Sequence, residues 1–185
     1  MRECSEEGDY RVNCESLESL NQLNHSSDSN EISRWIDMRR LYKQLDEDST
    51  YRVSNDTLNN FYDSLLNETI QQIETTDDRL AELVGSMESM DYETYLQRLE
   101  DASTSNSNIV SETQQEANEY NINEVYLKVL AYGLDTLDAS DSTLIDTLAN
   151  SCPYINGTAV YKARQLYALY NPLAQFDDIA LCNII

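Results

Sequence analysis

Histidine, glycine, proline and basic residues are all scarce in this chain. Its 185 residues hold one histidine, four glycines, two prolines and twelve lysines and arginines. Each shortage excludes something. A lone histidine, with no HExxH and no CxxC, removes the common zinc ligand sets. The lack of a glycine-rich loop removes the phosphate cradles of nucleotide-binding folds. So little glycine and proline cannot supply the tight turns of an all-β fold, and suits helices. The few bases face thirty-four acids, for a net charge of −22. Such a surface repels nucleic-acid phosphates and anionic lipid. No apolar run approaches the roughly eighteen residues of a membrane span. The partners excluded are therefore nucleic acid and the membrane interior.

The same scarcity limits chemistry. His25 sits in the polar stretch Asn24-His25-Ser26-Ser27. A catalytic base must be held and partly buried, so His25 reads as a solvated loop residue. Acid pairs are inevitable among so many carboxylates and carry no information about sugar hydrolysis. Asp135-x-x-Asp138-x-x-Asp141 lacks the alternating ligands, central glycine and closing glutamate of a calcium loop, and helix capping explains it more simply. No catalytic, cofactor-binding or metal-binding residue is assigned, and the chain reads as a non-enzyme that needs no cofactor.

What is present is helical periodicity. Residues 1–29 read as a polar arm or linker, with Leu17, Leu20 and Leu23 marking a turn or two. A helical domain over 30–185 follows. Ile32, Trp35, Ile36, Met38, Leu41, Tyr42 and Leu45 form one broad apolar face, with Trp35 and Tyr42 as core anchors. Leu58 to Ile73 keep helical spacing from about Ser54 to Thr75, with an interruption possible at Asn67-Glu68-Thr69. Asp77 or Asp78 is expected to cap a new helix, and Asp91 another carrying Tyr92, Tyr95, Leu96 and Leu99. The run Ala102–Asn108 is expected as a loop, because small polar residues compete with helical hydrogen bonds. Ser111 to about Leu134 is expected as the longest helix, its polar first half lining solvent and its second half central.

The C-terminal quarter reads as helix, turn, helix. Ser140 or Asp141 caps the first helix, which ends near Asn150. Cys152, Pro153, Asn156 and Gly157 break it. The second runs from Thr158 to Tyr170, with Val160, Ala163, Tyr167 and Tyr170 facing the first. The expected fold is all-α: six or seven antiparallel helices in a bundle or short solenoid, ending in a hairpin flanked by Cys152 and Cys182. These two cysteines lie thirty positions apart. A disulfide between them would be worth roughly 3–4 kcal/mol in the chain-entropy model. The competing reading is a pair of buried thiols in a cytosolic protein. Cys4 and Cys14 are close enough for a second, local bridge.

The segment CPYINGTAVYKARQLYAL, followed by FDDIALC, resembles a helical region of large exported proteins of Bacteroidota, which stands just before the C-terminal sorting domain of the type IX secretion system. The likeness rests on Cys152, Pro153, Gly157, Ala159, Val160, Tyr161, Ala163, Arg164, Leu166, Asp177, Asp178, Leu181 and Cys182. Looser matches at Arg39-Arg40-Leu41-Tyr42, Leu45, Asn60-Phe61-Tyr62 and Asn118–Leu130 extend it over about Ile32 to Cys182. The resemblance implies a non-enzymatic, extracytoplasmic helical module, secreted or at the cell surface. Its partners would be neighbouring domains of a longer parent chain, the secretion machinery or surface proteins. It also supports the disulfide, since exported proteins meet an oxidising compartment. The opening MRECSEEGDYRVNC lacks the apolar core of a signal peptide. On the family reading the chain is a fragment or processed form.

Asp-(Ser/Thr)-(small or apolar) tripeptides resemble the O-glycosylation acceptor of exported Bacteroidota proteins. They make Ser49, Thr57, Ser64, Thr136, Ser142 and Thr147 acceptor candidates, though the same pattern is good helix-start chemistry. Asn-x-Ser/Thr sequons stand at Asn24, Asn55, Asn67 and Asn156. Two alternatives belong to other classes. One is a carbohydrate-binding or carbohydrate-active surface domain using Tyr, Asp and Glu, which would show a carboxylate of raised pKa in a tyrosine-lined cleft. The other is an intracellular acidic adaptor, which would keep four free thiols.

Overall fold

The computed structural model of the chain describes residues 18–21, 31–53 and 55–182. Cys4, Cys14, His25 and the sequon at Asn24 lie outside the described residues. The described residues are helical throughout their regular structure, with no strand among them. Contacts divide the chain into two compact units, 1–71 and 72–185, a boundary inside the stretch read above as one helical domain.

In the first unit, residues 18–21 form a helical turn with Leu20 buried. Helix α1 (Glu31–Glu47) buries Trp35, Leu41, Tyr42 and Leu45, the face its periodicity predicts. A short helix α2 (Thr50–Val53) leads to α3 (Asp56–Ser64). Asn55 caps α3, its side chain accepting from the N–H groups of Thr57 and Leu58 at 2.9 and 3.3 Å. The α1–α3 contact is aromatic: Tyr42 and Tyr62 stack with centroids 4.9 Å apart and planes 2° from parallel. Arg52 covers the Tyr62 ring at 4.0 Å, and the Tyr62 hydroxyl donates to Asp46 at 2.5 Å. The interruption at Asn67 is real. Asn67 adopts φ 66°, a left-handed conformation that asparagine tolerates better than most residues.

Helix α4 (Thr69–Ser86) follows and corrects one expectation. No new helix starts at Asp77 or Asp78; both lie inside α4. An N-cap needs extended backbone, and the apolar spacing Ile73, Leu80, Leu83 carries the helix through instead.

In the second unit, α5 (Tyr92–Ser107) is capped by Asp91, which accepts from the Thr94 N–H at 3.0 Å. It absorbs the stretch expected as a loop. Ala102, Ser105 and Asn106 are buried there, and their small size is what lets neighbouring helices approach. Ser105 meets Thr76 at 3.1 Å, while Asn106 donates to the Tyr120 carbonyl and to Glu124 at 3.1 and 2.7 Å. Helical hydrogen bonds survive because these side chains bond to other helices rather than to their own backbone.

Helix α6 (Gln114–Tyr132) begins with a capping box of Thr113 and Glu116 and ends at Gly133, whose φ of 85° favours glycine. Its polar first half does not line solvent: Gln115, Glu116, Asn118, Glu119 and Asn123 are buried. Helix α7 (Ala139–Ala149) is capped by Asp138 rather than by Ser140 or Asp141, and Asp141 completes the box from the third position. The hydroxyl of Ser140, then the Asp141 and Ser140 N–H groups, hold the Asp138 carboxyl far below the usual carboxylate range.

A short α8 (Pro153–Asn156) and Gly157, at φ 77°, turn the chain into α9 (Ala159–Tyr170). Ile122 and Val125 of α6, Ile145, Leu148 and Ala149 of α7, and Ala159, Ala163 and Leu166 of α9 form one core cluster. Ala159 and Ala163 present no bulk on adjacent turns, which lets α7 and α9 close on each other. Tyr170 is only half covered, at 48% exposure, with its ring against Tyr167 at 5.1 Å and its hydroxyl near Asp146 of α7. Leu166 fills the inward place. The segment after α9 returns through Phe176 to α10 (Asp178–Leu181). The structure places a disulfide between Cys152 and Cys182, with Cα atoms 4.8 Å apart.

Candidate functional site

The strongest concentration of polar chemistry is where α4, α6 and α9 meet. Helical spacing puts Gln115, Asn118, Glu119, Ile122 and Asn123 on one side of α6, so the apolar stripe continues toward the N-terminus as amides and acids. Buried polar groups need partners. Gln115 donates to the Ile155 carbonyl at 2.7 Å, and Asn118 to the carbonyl and side-chain oxygen of Asn156, both at 3.3 Å. Glu119, fully buried, accepts from the Thr158 hydroxyl. The polar half of α6 therefore grips the turn between α7 and α9.

At the centre stands Lys162. Its ammonium donates to Asp77 of α4, to Glu119 at 2.7 Å and to Asn123 at 2.8 Å. The side chains of Lys162, Asp77 and Glu119 keep 17, 16 and 0% of their exposure. Above this cluster opens a cavity of about 430 Å³, walled by Leu80, Ala81 and Val84 and entered by Tyr126 and Gln165. Burial pushes the Tyr126 hydroxyl above its ordinary pKa, with the Lys162 charge opposing.

This arrangement surrounds one ammonium with oxygens. A nucleophilic lysine must present a free lone pair to its substrate. Here the three ammonium donors each meet an oxygen, so the amine is committed to the fold. Asp77, the carboxylate lining the cavity, accepts from the same ammonium. What the geometry does is fasten three helices by one buried cation. None of these residues was singled out in the sequence as part of a site, and Asp77 was read as a helix cap. The available signal was Lys162 itself, one of three lysines, standing between the core positions Val160 and Ala163.

The O-glycosylation candidates lie apart from this cluster. Ser49, Thr57, Ser64, Thr136, Ser142 and Thr147 are all exposed. Three of their hydroxyls bond locally to backbone: Ser64 to Phe61, Thr136 to Gly133 and Ser142 to Asp138. The sequon at Asn156 belongs to the polar grip of α6. Asp138 and Asp141 bond to the start of α7 and to Lys128. Among the described residues no group of three acids, cysteines or histidines is placed to hold a metal ion. No helix among them is long and apolar enough to cross a membrane.

Arg164 ties the disulfide-linked end together. Its guanidinium donates to the carbonyls of Ala149 and Ser151 at 3.0 and 3.5 Å and to Asp178 at 2.5 Å, and it lies 4.6 Å from the Phe176 ring centre. Compared with protein-family models, with curated proteins and with solved structures, the chain matches none.

Proposed function

We propose that the chain is a non-enzymatic, extracytoplasmic helical module of a large secreted or cell-surface protein, a type IX secretion cargo, acting in structure and interaction. One observation carries the reading: Cys152 and Cys182 come together across the last hairpin, with Arg164 holding both flanks. A disulfide at that place is stable in an oxidising compartment and rare in the cytosol. The C-terminal resemblance supports the same location. The antiparallel bundle or short solenoid, the local Cys4–Cys14 bridge and glycans on the Asp-(Ser/Thr) sites belong to this reading. Its partners are neighbouring domains of the parent chain, the secretion machinery or surface proteins.

The test is thiol alkylation of the protein from its native source, before and after reduction, read by mass spectrometry. Cys152 and Cys182 should resist alkylation until reduced, and hexose-type mass should map to the exposed serines and threonines. Free alkylation of both cysteines would overturn the extracytoplasmic reading and favour an acidic intracellular adaptor. An absence of glycan mass would remove the glycosylation alone.

A further inference from the structure

Helices α5 and α6 leave a groove of about 600 Å³ open along their length. Leu96, Leu99, Ser103 and Thr104 line it from α5, repeating at helical spacing. Leu127 and Ala131 continue the floor on α6. Two lining side chains are large, apolar and left in water: Leu96 is 44% exposed and Tyr132 75%. The stripe from Leu96 to Thr104 spans about 12 Å at helical rise, enough for roughly two turns of a third helix.

The charge in the groove is mostly negative. Glu100 of α5 and Glu124 of α6 line it, together with Asp141. The basic residue among the lining side chains is Lys128, and it is already paired with Asp141 and Asp138. A second copy of the chain would bring another −22 to a surface of the same sign. Nucleic acid and anionic lipid are repelled for the same reason.

We propose that the α5–α6 groove seats an amphipathic helix of a protein partner, one whose apolar stripe is flanked by lysines and arginines. Apolar side chains of the guest cover Leu96, Leu99 and Tyr132, and its cations meet Glu100 and Glu124. This is the helix-in-groove mode, in which anchors at i, i+3, i+4 and i+7 carry affinity and rim charge sets partner choice. The inference rests on the interaction-module reading and names the partner chemistry for it.

The test titrates the full, disulfide-intact chain with three labelled peptides. One is a leucine–lysine helix with an apolar stripe, one has the same composition scrambled so that no stripe forms, and one replaces lysine by glutamate. Anisotropy gives affinity, and amide chemical shifts give the location. The striped cationic peptide should bind at least about tenfold more tightly than the scrambled one, the effect of one buried apolar anchor. The acidic peptide should not bind, and shifts should concentrate on α5 and α6. Leu96→Gln, and separately Tyr132→Ser, should each weaken the striped peptide about tenfold; both sites are exposed enough to leave the fold intact. Equal binding of striped and scrambled peptides would reduce the effect to bulk charge and overturn the proposal. So would shifts elsewhere, or variants that bind normally. Those failures leave the extracytoplasmic reading standing, because thiol alkylation decides that separately.

Discussion

Replacing Lys162 by methionine should destabilise the second unit by about 3–5 kcal/mol, the usual cost of removing one partner from a buried ion pair. Methionine keeps the length of the stem, so the loss is mainly electrostatic. The ammonium serves Asp77, Glu119 and Asn123 at once, and Glu119 has no exposure through which water could replace it. The chain's single tryptophan, Trp35, lies in the first unit and does not report directly on the second. Urea unfolding should therefore be followed by far-UV circular dichroism, with hydrogen exchange on α6. With a urea slope of about 2 kcal/mol per molar, the midpoint should fall by about 2 M. Adding Glu119→Leu to Lys162→Met should recover part of the loss, because the stranded carboxylate is gone. The coupling expected is about 0.5–3 kcal/mol. A midpoint shift under about 0.5 M, or strict additivity of the two changes, would refute the argument: the cation would then be as dispensable as a surface pair.

Two further outcomes are expected. Cys182→Ser should lower unfolding stability by roughly 3–4 kcal/mol relative to the oxidised chain and by almost nothing relative to the reduced one, since a loop of 30 residues is closed only in the first comparison; an equal loss against both would assign the effect to packing. The Tyr42 hydroxyl is held well above its ordinary pKa, first by burial and then by its bond with Tyr62. Because the folded pKa is raised, its contribution is complete below about pH 10 and is lost as pH climbs toward the folded value. Tyr42→Phe should therefore flatten the alkaline fall in first-unit stability read by Trp35 fluorescence, and parallel curves for the two proteins would contradict it.

Much of the fold was legible because periodicity is local. The face of α1, the break at Asn67 and the turn at Gly157 each follow from residues within a few positions of one another. The errors came where a helix carries small or polar residues. The segment 102–108 looked like a loop because serine, threonine and asparagine usually bond to their own backbone. In α5 the side chains of Ser105 and Asn106 instead reach Thr76, Tyr120 and Glu124. Asp77 looked like a cap because a helix-starting aspartate and a buried ion-pair aspartate have the same sequence environment. Only the arrival of Lys162 distinguishes them, and Lys162 lies 85 positions away.

The candidate site was illegible for the same reason, in stronger form. Hydrophobic periodicity marks a buried face only while that face is apolar. On α6 the stripe passes from Ile122 and Val125 to Gln115, Asn118 and Glu119 without leaving the interior, and the pattern turns silent where the polar contacts begin. Such residues stay inside only because acceptors and donors come from elsewhere: Ile155, Asn156, Thr158 and Lys162. Those four belong to the stretch between Cys152 and the middle of α9. The segment that holds the sequence motif thus meets the buried polar face of α6, but through Ile155, Asn156, Thr158 and Lys162, which are not among the residues that carry the likeness. That contact explains why Gly157 and Lys162 sit where they do. Gly157 turns the chain so that Thr158 can meet Glu119, and Lys162, one helical turn later, meets the same carboxylate.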